Sequence, residues 1–308
     1  MTRSEKKAEL FVDGVQKENE PICVIITTFN RRKITRRFLI SLVKELGKCK
    51  FSSTIIVVDD SSKDGTPEMV SQEFPGITLL KGSGDLYWAG GVRLAISHLG
   101  DSLNEFRGIL LLNDDVVLAD ESISSITKIA EEHGGIIGGT VVTHTGEIES
   151  TGGTLGRLCK PKQKRRIANG VVQNCDLLPG HVLYIPMKVY KSLGGFDVNL
   201  PYRFIDLEFS LRAKRAGIPV LLGPKVVAFT DQVHNYFNET SSMRGSFSEL
   251  IQNILLHPKG PHWRESAYYL KKVSPILWWL WLPFFYRAFF VALIRSYFEM
   301  FFLDQKRK

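Results

Sequence analysis

The sequence predicts an α/β protein: a doubly wound, mostly parallel sheet with helices on both faces, followed by a C-terminal aromatic helical extension. Three observations predict it. Short apolar runs rich in β-branched residues recur through the first half of the chain. Each closes in a polar cluster, and amphipathic stretches lie between them. From residue 276 onward the composition shifts to Trp, Phe, Leu and Tyr.

Residues 22–26 (ICVII), 54–58 (TIIVV) and 109–112 (ILLL) are continuous apolar runs, the pattern of parallel strands buried on both faces. Between them, residues 36–46 carry Phe38, Leu42 and Leu46 on one helical face. Residues 69–74 and 92–99 read the same way. Alternating strands and helices place ligands at the carboxyl ends of the strands. There the chain has Thr27-Thr28-Phe29-Asn30-Arg31, Asp59-Asp60-Ser61-Ser62 and Asn113-Asp114-Asp115. Three polar strand ends therefore converge on one crevice. Residues 134–174, with the basic run of residues 157–166, read as an exposed loop that can also contact an anion.

Bulk properties bound the rest. At 308 residues with 44% hydrophobic residues, the chain affords a sizeable core. A net charge of +8 favours anionic partners such as nucleotide phosphates, nucleic acid or an acidic membrane surface. Cys23, Cys49, Cys159 and Cys175 form no CxxC pair and no zinc spacing, so they read as scattered thiols. The first 20 residues are polar and lack an apolar secretory core, which points to a reducing cytosolic compartment. The expected division is a polar extension (residues 1–20), a main domain (21–235, with halves 21–120 and 121–235) and a C-terminal helical, membrane-associating region (236–308). In the last of these, Pro283, Arg287, Arg295 and Glu299 interrupt the apolar stretch. Such a segment suits an in-plane interfacial helix better than a spanning one.

The residues that carry chemistry follow from position. Asp115, behind Asn113 and Asp114 at a strand end, can share a hard divalent cation with substrate phosphates. Asp59 and Asp60 can accept hydrogen bonds from a base N–H or a ribose hydroxyl. Gly90 and Gly91, before a helix expected near Val92, can bring backbone N–H groups to phosphate, with Arg93 adding a cation. Asp206 and Glu208 sit in FIDLEFSLR, where one carboxylate can serve as a general base and the other can pair with Arg212. After the first strand there is no glycine, which counts against both a dinucleotide-binding dehydrogenase and a sugar-phosphate nucleotidyltransferase. A non-enzymatic membrane adaptor would leave the aligned polar strand ends unexplained.

The ordered set VIITTFNR (24–31), VVDDSSKDGT (57–66), LLNDDV (111–116), GGFD (194–197) and IDLEFSLRAKRAG (205–217) resembles glycosyltransferase family 2 over residues 21–227. The subgroup it looks most like contains bacterial rhamnosyl- and galactofuranosyl-type transferases of surface polysaccharide assembly. The resemblance implies a GT-A fold, an inverting mechanism and Mg²⁺ or Mn²⁺ as cofactor. By position it implies that Thr28, Asn30, Asp59 and Asp60 line the nucleoside pocket, with Arg31, Asn113 and Asp114 completing the donor-binding set. It implies Asp115 as the metal-binding acid and Asp206 as the catalytic base. Asn113 replaces the first acid of the DxD motif. A metal-binding histidine is expected after the strand that follows the base; Thr230-Asp231 stands near that point, and His234 is the candidate. The partners implied are a UDP- or dTDP-linked sugar donor, a glycan or polyprenyl-diphosphate-linked acceptor and the inner face of the cell membrane, with no nucleic acid.

Overall fold

The structure, a computed structural model, describes residues 20–156, 163–231 and 262–286. Outside them lie residues 1–19, residues 157–162 of the basic run with Cys159, residues 232–261 with His234, and Arg287, Arg295 and Glu299.

The first half builds four parallel strands: β1 (Ile22–Thr28), β2 (Ser53–Asp59), β3 (Thr78–Lys81) and β4 (Gly108–Asn113). They lie in the order β3-β2-β1-β4. The chain winds outward from β1 and then returns to its other side. The reversal falls between β1 and β4, where a ligand crevice opens. Helices α1 (Arg32–Leu46), α2 (Thr66–Glu73) and α3 (Tyr87–Leu99) make the connections. Register aligns the strand ends, since Thr28 faces Asp59 and Thr27 faces Asn113.

The second half extends the same sheet. After β5 (Val117–Leu118) and α4 (Ser122–His133) come β6 (Ile136–Thr143), β7 (Ile148–Ser150), β8 (Gly153–Leu155), β9 (Gln163–Arg165), β10 (Gln173–Asn174) and β11 (Val182–Pro186). Helices α5 (Met187–Ser192) and α6 (Ile205–Arg215) lead to β12 (Val220–Thr230), and then come α7 (Trp263–Val273) and α8 (Trp278–Phe285). The sheet runs β10-β12-β6-β11-β4-β1-β2-β3, with β11 antiparallel to both β4 and β6. Residues 134–174 are thus not one exposed loop: all eight residues of β6 are buried. The glycine pair inside IIGGTVVT breaks the apolar run, and the second glycine lets Val227 of β12 pack directly on the backbone. The basic run is partly strand as well, since β9 pairs with β8.

Alternation along the strands feeds two core layers. Ile22, Val24 and Ile26 of β1 pack with Phe38 and Leu42 of α1, Met69 of α2 and Ile126 of α4. Cys23 and Ile25 face the opposite layer, with Val92 of α3, Met187 of α5, Phe209 of α6 and Tyr269 and Val273 of α7. The C-terminal helix α7 therefore shares the core of the main sheet. Among the described residues the cysteines are unpaired, with Cys23 and Cys175 buried. No helix among the described residues is long and apolar enough to cross a membrane.

Candidate active site

Backbone strain marks the crevice. Of five non-glycine residues with positive φ among the described residues, four sit at its rim: Asn30 after β1, Ser61 after β2, Tyr87 at the start of α3 and Phe204 before α6. Such conformations cost on the order of 1–3 kcal/mol each and persist where the surroundings fix them.

The loops after β1 and β2 are stitched together. Asn30 N donates to Ser62 Oγ at 2.8 Å, and Asn30 Oδ1 accepts from Lys63 N at 2.8 Å. Asp64 accepts from Arg32 N at 2.8 Å, standing in for the side-chain cap that α1 lacks. These bonds, led by that from Arg32, outweigh burial and hold the Asp64 carboxyl below the usual range. Asp60 is likewise committed: it accepts from Gly84 N at 2.7 Å, Leu86 N at 3.0 Å and Tyr87 N at 3.1 Å. It anchors the loop before α3 and the start of that helix. The side chains of Asn30 and Asp60 thus position the loops around the crevice. Asp59 differs. Its Oδ2 accepts from Ser62 N at 2.9 Å, while its buried Oδ1 has no hydrogen-bond partner among the described residues. A buried carboxylate oxygen left bare is costly unless a ligand satisfies it.

The end of β4 forms a second cluster. Arg31 Nη1 lies 3.0 Å from Asp114 Oδ1 and 2.9 Å from Asp115 Oδ2. Thr35 Oγ1 donates to Asp114 Oδ2 at 2.9 Å, and Thr28 Oγ1 lies 2.8 Å from Thr35 Oγ1. Thr28 and Asp114 are buried against α1, where Thr35 links their side chains. Burial pushes the Asp114 carboxyl up against the pull of Arg31. Thr230 Oγ1, at the end of β12, donates to the Asp115 carbonyl at 2.7 Å. Beside it, Asp231 is held by Arg37 at 2.8 Å and His144 at 3.1 Å.

The glycines of α3 also depart from expectation. The helix starts at Tyr87, not near Val92, so Gly90 and Gly91 lie inside it, and the Gly90 amide bonds to Leu86 O at 3.1 Å. A Cβ on Gly91 would stand 2.6 Å from Thr27 Cγ2, which makes that glycine a packing requirement between α3 and β1. Arg93 is spent on the carbonyls of Leu200 and Pro201 at 2.7 and 2.6 Å.

Asp206 lies in the first turn of α6, half-buried, and its Oδ2 accepts from Gly180 N at 2.6 Å. Burial raises its carboxyl above the usual range despite the amides of Leu207 and Gly180. The neighbouring residue, His181, accepts from Asn113 N at 3.1 Å through its carbonyl. One short segment thus ties Asp206 to the end of β4. The Trp88 ring packs on Gly180 where any side chain would stand. Glu208 is buried and forked onto Arg212 at 2.8 Å, which leaves Asp206 as the acid beside the crevice. Sequence reasoning missed Thr35, Trp88 and Gly180, whose roles arise from contacts across the fold.

A divalent cation at this site would have Asp115 as its protein carboxylate, shared with Arg31. No group of three His, Cys, Asp or Glu side chains suited to a metal occurs among the described residues. The donor set fits a hard cation completed by substrate phosphates and water.

The sequence profile of Glycosyl transferase family 2 matches residues 23–188, more than half of the chain. The chain belongs to this family. Its fold is similar to that of GalNAc-T7 solved with UDP, GalNAc and Mn²⁺, with a TM-score of 0.55 and 14% identity over 85% of this chain and 59% of that one. It is similar also to the mannosyltransferase PcManGT from Pyrobaculum calidifontis solved with GDP-Man and Mn²⁺, with a TM-score of 0.51 and 15% identity over 95% of this chain and 81% of that one. These likenesses establish a GT-A fold. Comparison with curated proteins finds no sequence match.

Proposed function

We propose that this protein is an inverting glycosyltransferase. It moves a sugar from a UDP- or dTDP-linked donor to a hydroxyl of a glycan or polyprenyl-diphosphate-linked acceptor, in cell-surface polysaccharide synthesis at the cytoplasmic face of the membrane. The observation that carries the reading is the tie between Asp206 and the end of β4, through Gly180 and His181, in a chain of this family. It supports a donor diphosphate at Asp115 with an acceptor hydroxyl beside Asp206.

In this reading Asp59 Oδ1 receives an N–H of the nucleobase, which completes its hydrogen bonding. Arg31 turns its guanidinium toward the diphosphate. A bound Mg²⁺ or Mn²⁺ supplies charge neutralisation of the leaving diphosphate. Asp206 takes the proton of the attacking hydroxyl, and burial strengthens it as a base. Trp88 covers Gly180 and keeps water from that flank. One carboxylate acting as base on the acceptor hydroxyl supports a single displacement and inversion.

A thermal-shift panel of nucleotide-sugars with and without Mn²⁺ tests the donor, because a ligand that binds only the folded state raises stability. The cognate donor is expected to raise Tm more with metal. Asp206→Asn is then expected to lower turnover about 10²–10⁴-fold while keeping donor affinity. The acidic limb of the wild-type turnover profile is expected above the ordinary carboxylate range, since the base works only when deprotonated and its pKa is raised. A near-normal Asp206→Asn enzyme, or no response to any donor, would sink the reading.

A further inference from the structure

The loop that delivers Asp206 is gripped by opposite charges from two helices. Arg93, in α3, donates to the carbonyls of Leu200 and Pro201. Glu265, in α7, accepts from the amides of Tyr202 and Arg203 at 2.9 and 2.8 Å, both through Oε1. The Tyr202 carbonyl accepts from Ala89 N of α3 at 3.3 Å. Phe204 follows with φ 64°, and its ring stacks on Tyr269 of α7 with centroids 4.5 Å apart and planes 7° apart. Asp206 comes two residues later.

Glu265 is 3% exposed, and its Oε2 has no hydrogen-bond partner among the described residues. A half-satisfied buried carboxylate is a poor way to stabilise a core. What it supplies is the fixing of two consecutive amides by charge-assisted bonds, next to a residue whose backbone is strained. Helix α7 is itself anchored in the main core by Tyr269, Leu270 and Val273. It therefore offers a rigid support from which to hold the loop.

We propose that Glu265, with Arg93 as its counterpart on the opposite side of the loop, is a positioning residue that sets the placement of the Asp206 carboxylate. The C-terminal helix is then part of the catalytic unit. The kinetic side of this inference rests on the glycosyl-transfer reading, and its structural side stands apart from it. A displacement of about 1 Å at reacting groups can cost about 10²-fold in rate, so a loop clamp of this kind acts on turnover and leaves donor binding alone.

The experiment uses full-length Glu265→Ala and Glu265→Gln. Gln keeps an oxygen that can accept from both amides, whereas Ala does not. Hydrogen exchange read by mass spectrometry is expected to show faster exchange of the peptide spanning residues 200–207 in Glu265→Ala, with the peptides of β1 to β4 unchanged and Glu265→Gln close to wild type. With cognate donor, kcat of Glu265→Ala is expected to fall about 10²-fold at unchanged donor KM, with the acidic limb of its pH profile displaced and most of the rate restored in Glu265→Gln. Unchanged exchange in a folded Glu265→Ala overturns the proposal whatever the activity. Faster exchange with wild-type kcat overturns it too. Should Glu265→Ala fail to fold, Arg93→Met releases the same loop from α3 and must give the same local signature. An inert wild type with every donor would remove the glycosyl-transfer reading, while the exchange result still decides the clamp.

Discussion

Asp59 and Asp60 are neighbours in the chain with different bonding: one has a buried oxygen without a hydrogen-bond partner among the described residues, and the other uses both oxygens on backbone amides. At the end of β4, Arg31 bridges Asp114 and Asp115, and Thr35 holds Asp114 alone. Asp115→Ala is therefore expected to abolish the metal-dependent part of donor binding, seen by calorimetric titration of donor with and without Mn²⁺. Affinity that still rises with Mn²⁺ would make Asp115 a turn residue only. The positions of Asp59, Asp115 and Asp206 were legible in the sequence, because strand ends and helix starts can be read from local pattern. The duties of Thr28, Asn30, Asp60, Arg93 and Asp114 were not. Each is decided by a partner 7 to 108 positions away, and no local pattern reports which way a side chain turns.

Helix α7 shows how an element distant in sequence becomes part of the site. Asp197, in the GGFD turn before α6, accepts from Asn199 N at 2.9 Å and from Tyr268 Oη at 2.8 Å, and it pairs with Lys272 at 3.1 Å. Burial opposes its ionisation, but these bonds prevail and pull its carboxyl down to about 2. Its folded-state value thus lies below the unfolded one near 3.9. The stabilisation is complete above about pH 4 and disappears as pH falls toward 2. Asp197→Asn is expected to lower Tm at pH 7 and to change it little at pH 2. An equal loss at both would show packing damage instead of ionic docking of α7. At this scale the sequence was informative for β1, β2 and β4, whose uninterrupted apolar runs have one reading. It failed for β6, where paired glycines imitate a loop, and for the start of α3, where the cap is a carboxylate from another strand end. It gave no sign that α7 belongs to the main core, since packing against α6 is a relation between helices some fifty residues apart.

At the scale of the whole molecule, the C-terminal region presents large apolar side chains to solvent. Ile276 is 82% and Trp279 58% exposed, and Leu280 and Trp263 are also open to solvent. Lys271 lies 4.5 Å over the Trp278 ring, an arrangement that keeps a cation beside an amphipathic ring. In sequence, Arg287 and Arg295 interrupt the apolar run and Lys306-Arg307-Lys308 closes it. An arginine at a membrane centre costs about 2.5–3.5 kcal/mol on insertion scales. Lying in the interface avoids that cost, and each cation near anionic lipid contributes about 1 kcal/mol. Residues 276–308 are therefore expected to bind anionic vesicles without spanning them. Truncation after Ser274 keeps α7 and the clamp on the Asp206 loop, but removes the buried Tyr286. The truncated protein is expected to move from the vesicle pellet to the supernatant and to keep its response to the cognate donor. Full-length protein is expected to be partly released by high salt or alkaline carbonate. Resistance to both, with release by detergent alone, would mean a deeply embedded segment. Failure to bind vesicles at all would mean that these aromatics face protein, either the core or a second copy of the chain.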